Sequence, residues 1–305
     1  MQITRGRMQT YDLSRGRRYS RQPPRGLLRR TTIHRKGHLA VTHGESFNVL
    51  PIADSISIPR PTFDDILHTF PDAAWACSNI TGTEHFGRLV RAITTGTALA
   101  VSDGSAHKTL KLGAMAWTFS DETEEWSFEG GGLIPGEREH INSFRSKAGG
   151  LLGIFIILAT LSRMQTKGHI TVLCDGKSAL SRAICTKRFS FSSSHPDFDI
   201  ISRIIALREA LTMEVTGSHV HGHQDEITDV LSLPAALNVK MDARAKQYIH
   251  CAKIQGFIPP DSLPDATYGI ALVRTKTKTI STNLEKSLME MVTFRDAKDW
   301  WIDKG

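Results

Sequence analysis

Three aspartates stand where acidic side chains need a reason to be. Asp103 ends the run Ala98-Leu-Ala-Val-Ser-Asp103, Asp175 follows Ile170-Thr-Val-Leu-Cys174, and Asp242 follows Leu237-Asn-Val-Lys-Met241. Carboxylates at the ends of buried apolar segments call for a cation between them. Asp oxygens suit a hard ion such as Mg²⁺ shared with substrate phosphates. A fourth segment, Ser143-Phe-Arg-Ser-Lys147-Ala-Gly-Gly150, puts a lysine where such a site wants another acid.

The pattern that must position these residues becomes regular from Thr97. Residues 98–103 read as a strand, and 111–120 and 124–129 as β-prone runs carrying Trp117, Trp126 and Phe128 on either side of the acidic turn Ser120–Thr123. Those aromatics read as sheet packing rather than a base-stacking platform. Gly130–Gly132 and Pro135-Gly136 read as loop. Asn142 or Ser143 can cap a helix over roughly 144–164, closed by Lys167-Gly168. A strand at 169–174, a helix near 177–185, a Ser-rich linker at 190–197, a helix at 198–211, a strand at 214–220 and a helix at 233–249 follow. Three strands joined by short turns make an antiparallel meander, and strands reached through helices add in parallel. The expected fold class is therefore α/β: a mixed five-stranded sheet, three antiparallel strands plus two parallel, flanked by helices.

Composition sets the limits. The 305 residues, 40% hydrophobic and 23% charged, describe an ordinary soluble globular chain. Residues 1–44 hold ten Arg and one Lys against Asp12 alone, so +10 of the net +7 lies there and −3 is left for the rest. We read 1–44 as a disordered basic arm, a nucleic-acid tether or a plain solvated tail. Residues 45–96 read as an irregular extension with helices near 63–69 and 85–93 that packs on the next part, 97–252 as the main domain, and 253–305 as an appendage with an amphipathic helix near 283–292. Four scattered cysteines without a C-x-x-C pair argue for a reducing compartment and against a zinc knuckle. The Arg-rich start lacks an apolar signal core, so the expected location is intracellular, nucleus or cytoplasm, with an organelle transit peptide also open. The apolar stretch 148–161 is short for a membrane span and reads as a core helix, so no membrane partner is expected.

Four motifs in order carry a family resemblance. Ser102-Asp-Gly-Ser105, Ser143-Phe-Arg-Ser-Lys147-Ala-Gly-Gly150, Cys174-Asp175, and His219-Val-His-Gly-His-Gln-Asp225 ahead of Leu237-Asn-Val-Lys-Met-Asp242 together resemble a type 1 ribonuclease H domain, as found in retroelement reverse transcriptases. The resemblance covers about half the chain, Leu99 to Ile249, and no polymerase signature accompanies it. It implies an RNase H-like fold and cleavage of the RNA strand in an RNA–DNA hybrid. Asp103, Asp175 and Asp242 would hold two Mg²⁺ (or Mn²⁺) ions, and His223 would move protons or release product. Ser105, Ser143, Arg145 and Lys177 flank the motifs and are the nucleic-acid-binding candidates.

Lys147 is the departure, because the family pattern S-x-R-x-E-x-x-G has glutamate there. It sits in the first turn of its helix, where the backbone dipole favours an anion. Held by the aspartates, its ammonium would take space that a Mg²⁺ ion needs, so fewer ions and lost or severely reduced cleavage are expected. The alternative function is a non-catalytic nucleic-acid-binding module. Two weaker possibilities are a transition-metal site on His219, His221 and His223, and replacement of the missing acid by Glu137 or Glu139.

Overall fold

In the computed structural model the run at 98–103 continues into a ten-residue strand, β1 (Ala98–His107), because its alternate residues serve two different cores. Ala98 and Ala100 join one core with Met115, Trp117 and Phe119. Leu99 and Val101 join Leu173, Val220 and Leu237 in another. The structure describes residues 61–123, 125–186 and 195–260, with Leu263, Met289, Thr293 and the backbone of short strands elsewhere.

β1 pairs antiparallel with β2 (Leu112–Asp121), which pairs antiparallel with β3 (Phe128–Leu133). On its other side β1 pairs in parallel with β4 (His169–Cys174), and β4 with β5 (Glu214–His219). The sheet order is β3-β2-β1-β4-β5. Its make-up of three antiparallel strands plus two parallel is what the spacing of the apolar runs predicts. β3 departs at both ends, starting at Phe128 rather than near 124 and running on to Leu133. Gly130–Gly132, read as loop, lie inside the strand because side chains from elsewhere fill their places. A Cβ on Gly130 would stand 2.3 Å from the Trp117 ring, and one on Gly132 2.4 Å from Ser78 Oγ.

Helices cover both faces. On one lies α4 (Ser143–Arg163), after the shorter α1 (Phe63–Leu67), α2 (Ala73–Ala76) and α3 (Phe86–Thr95). Asn142 caps α4 by accepting from Arg145 N at 2.9 Å. Its apolar residues run all round, as a fully enclosed helix requires, and its length would let it cross a membrane by composition alone. Almost all of it is nevertheless buried inside the domain. Trp117 Nε1 donates to Ala76 O at 2.8 Å, which ties α2 to the sheet. α5 (Lys177–Cys185) and α6 (Phe198–Glu209) complete this layer, and α7 (Leu233–Gln255) packs on the opposite face through Leu237, Met241 and Ala245.

Chain contacts divide the protein into units 1–60 and 61–305, so the helical stretch from Phe63 belongs with the sheet. In the first unit the backbone forms a hairpin of Gln2–Thr4 with Arg7–Gln9, and an antiparallel meander of Arg30–His34, His38–His43 and Ser46–Pro51. Most of the arm 1–44, residues 190–194 of the expected linker and most of the expected helix near 283–292 lie outside the described residues.

Gly104 decides how closely α4 meets the sheet. A Cβ there would lie 2.3 Å from Ser146 C and 2.5 Å from Lys147 N, both backbone atoms that cannot swing aside. Overpacking of this kind costs about 1–3 kcal/mol and more where backbone must move. Gly104→Ala is expected to lose at least ~2 kcal/mol in chemical denaturation; a loss below ~0.5 kcal/mol would show that α4 is not so tightly seated.

Candidate functional site

The parallel pairing of β1 with β4 ends at Ser102 opposite Cys174. Asp103 is thus the first residue of β1 with no β4 neighbour, and Asp175 is the first residue past β4. The strand end brings these two carboxyls together, and the N-terminal end of α4 delivers Lys147, its fifth residue, to both. Lys147 Nζ donates to Asp103 Oδ1 at 2.6 Å and also to Asp175 Oδ1. Asp103 Oδ1 accepts from Gly104 N at 2.6 Å, and its Oδ2 lies 3.4 Å from Asn238 Nδ2 on α7. Asp103 is 3% exposed, and the Lys147 and Asp175 side chains 15% and 13%.

Burial and charge pull against each other here. Desolvation pushes the Asp103 carboxyl up to about 6; the Lys147 ammonium pulls it down and the Asp175 carboxylate adds to the rise. Desolvation would lower Lys147, but the two carboxylates outweigh it and hold the ammonium above its ordinary value. Each such attraction amounts to ~4 kcal/mol at an effective dielectric near 20, set against several kcal/mol of desolvation per ion. The cluster therefore adds little net stability, while loss of one member leaves a buried charge uncompensated.

The residues present do not fit a pair of divalent ions. The ammonium rests on oxygens of both Asp103 and Asp175, and the position that would supply another acid is Lys147 itself. Asp242 lies one turn beyond Asn238 on the same side of α7, but it pairs with Lys246 Nζ at 2.6 Å. Among the described residues no group of three His, Cys, Asp or Glu side chains is arranged to hold a metal ion.

The remaining sequence candidates divide. Ser105 is half-buried, two residues past Asp103 on β1 and so on the same strand face. Ser143 and Lys177 are exposed in the first turns of α4 and α5. Arg145 corrects the reading of it as a nucleic-acid contact. It is fully buried, donating to Asp199 Oδ1 and Oδ2 at 2.9 and 2.8 Å, to Asp197 Oδ1 at 3.2 Å and to Pro135 O. With its guanidinium enclosed by two carboxylates it fastens the start of α4 and cannot face a ligand. His223 sits in an exposed loop with left-handed backbone, φ 54°, its Nδ1 3.6 Å from Glu226 Oε1. Among the described residues no hydrogen bond joins it to the aspartates. His219 instead holds the Asp175 carbonyl at 3.0 Å, and its ring meets His221 edge-on. Glu139 is engaged by Lys111 at 2.6 Å, away from the cluster. Trp117 and Phe128 are core, as their spacing implied.

Asn238 was not singled out by sequence. Its signal was available: it precedes Asp242 by four residues, the spacing that puts two side chains on one side of a helix. Its Oδ1, with Ser102 Oγ and Ser146 Oγ, is buried with no hydrogen-bond partner among the described residues.

No family model matches the sequence and no curated protein is similar to it. Solved structures are. The N-terminal RNase H domain of a Mycobacterium tuberculosis protein, fused to maltose-binding protein, is 14% identical over 52% of this chain and 98% of its own, with a TM-score of 0.37. RNase H1 from the archaeon Halobacterium salinarum is 16% identical over 52% and 100%, TM-score 0.35. LC11-RNase H1, solved with an RNA/DNA hybrid, is 10% identical over 51% and 99%, TM-score 0.38. Such values say nothing of activity, and the fold is read from the strand order, the parallel and antiparallel pairings and the helix layers. The chain carries an α/β fold with a mixed five-stranded sheet, the architecture that the motif resemblance implies.

The Asp103 environment has a pH consequence. A carboxyl with a raised value in the folded state takes up a proton there before the unfolded chain does. Its contribution to stability is greatest below its ordinary value of 3.8 and declines as pH rises through about 6. Asp103→Asn cannot lose a proton and is expected to gain on wild type between about pH 4 and about pH 7. Denaturation at both pH values measures this; a constant difference would contradict the assignment.

Proposed function

We propose that this chain is a nucleic-acid-binding module that keeps an RNase H-like scaffold and holds an RNA–DNA hybrid without two-metal hydrolysis. The observation that carries the reading is the Lys147 ammonium seated on Asp103 and Asp175. Two-metal cleavage neutralises charge on the attacking and leaving oxygens with ions held by carboxylates. Here one oxygen of each carboxylate, Asp103 Oδ1 and Asp175 Oδ1, is already engaged by a group that carries no water to activate.

The hybrid as partner follows from the four ordered motifs. Lys177 and Ser143, exposed at the starts of α5 and α4, offer donors beside helix N-termini whose free backbone N–H groups favour phosphate. The same motifs favour descent from the RNase H portion of a retroelement reverse transcriptase. Endonuclease action with Mg²⁺ or Mn²⁺ is the function of that ancestry, and Lys147 is why it is not proposed here.

The test is a labelled RNA–DNA hybrid incubated with the full chain in Mg²⁺ and in Mn²⁺, beside binding at about 50 and about 200 mM salt. Binding that weakens steeply with salt, with intact RNA after prolonged incubation, is the expected result. Divalent-dependent cutting of the RNA strand, or no binding at low salt, would refute the proposal.

A further inference from the structure

A carboxylate cluster repels the backbone of a nucleic acid unless a cation lies between them. In this protein the cations are covalent. Asp103 and Asp175 share the Lys147 ammonium, and Asp242 has that of Lys246 at 2.6 Å. Three negative charges thus face two positive ones, before any ion is added.

Lys147 is also held more firmly than a surface lysine. A Cβ on Gly176 would stand 2.7 Å from Lys147 Cδ, and one on Gly104 2.5 Å from Lys147 N, so both glycines adjoining the aspartates let the lysine stem and its backbone come close. An ammonium has three donors. Asp103 Oδ1 and Asp175 Oδ1 take two, and among the described residues no acceptor takes the third. The side chain keeps 15% of its surface open.

We infer that Lys147 is a tethered cation that bridges Asp103 and Asp175 to a backbone phosphate of the bound nucleic acid, so that binding needs no divalent ion. This rests on the nucleic-acid-binding reading above and adds to it the group that makes the phosphate contact and the independence from metal. No bond forms or breaks. The phosphate oxygen accepts from the third N–H, and Lys246 offsets Asp242 at the border of the site.

The experiment is hybrid binding by fluorescence anisotropy with the full chain, in EDTA and in Mg²⁺ at constant ionic strength. Wild type is expected to bind equally in both, within about 2-fold. Lys147→Glu puts three carboxylates together; it is expected to lose about 10-fold or more in EDTA and to recover in Mg²⁺. A thermal melt of the same variant, stabilised by Mn²⁺ where wild type is not, reports the opened cation site independently of binding. Lys147→Met, which removes the charge without adding an acid, is expected to bind weakly in both buffers. Wild-type binding that appears only with Mg²⁺ would overturn the inference and leave the nucleic-acid-binding reading standing, as would a Lys147→Glu variant that melts like wild type and binds undiminished in EDTA. No binding by wild type in either buffer would overturn both. The wild-type comparison holds even if a variant fails to fold.

Discussion

One ammonium makes this site possible. Asp103 and Asp175 are brought within reach of the same atom by the end of a parallel strand pair, and both are largely buried. Two such carboxylates cannot both stay charged in a low-dielectric position without a positive partner. Lys147 supplies it from the chain itself. The consequence reaches beyond local stability, because a cation tethered by a side chain cannot be exchanged, cannot bind water for attack and cannot be withdrawn by a chelator.

Much of the surrounding structure can be understood as what keeps that ammonium in place. Gly104 lets the first turn of α4 press against β1, and Gly176 leaves room for the lysine stem. Behind them, Arg145 anchors the same turn to Asp197 and Asp199, both from the segment entering α6. A second buried pair, Arg203 with Asp72, joins α6 to the start of α2. Buried ion pairs are worth little against apolar replacements, but losing one partner is costly. They serve here to fix where helices begin, which is what a site built at a helix's N-terminal end needs.

How much of this could be read in the sequence depended on the distance between cause and effect along the chain. The five strands and their split into an antiparallel meander and two parallel additions followed from local alternation and from which strands were separated by helices. The two aspartates that meet at Lys147 stood out because each ends an apolar run, and the lysine because it breaks a motif that is otherwise complete. Arg145 was misread because the groups that bury it lie 52 and 54 residues away, at the end of the expected Ser-rich linker and in the first turn of the helix after it. Gly130–Gly132 looked like a loop because the ring and the side chains that fill their places come from Trp117 and Ser78. Asp242 matched the motif, yet its pairing with Lys246 depends on helix geometry within α7, which motif spelling does not convey.

The central claim is that the cation position belongs to Lys147. Calorimetric titration of the unmodified full chain with Mn²⁺, a stronger ligand-seeking surrogate for Mg²⁺, tests it most directly. No stoichiometric, saturable uptake is the result this account predicts. One or more ions bound tightly per chain, and lost on Asp103→Asn, would show that metal and lysine share the site, and would contradict it.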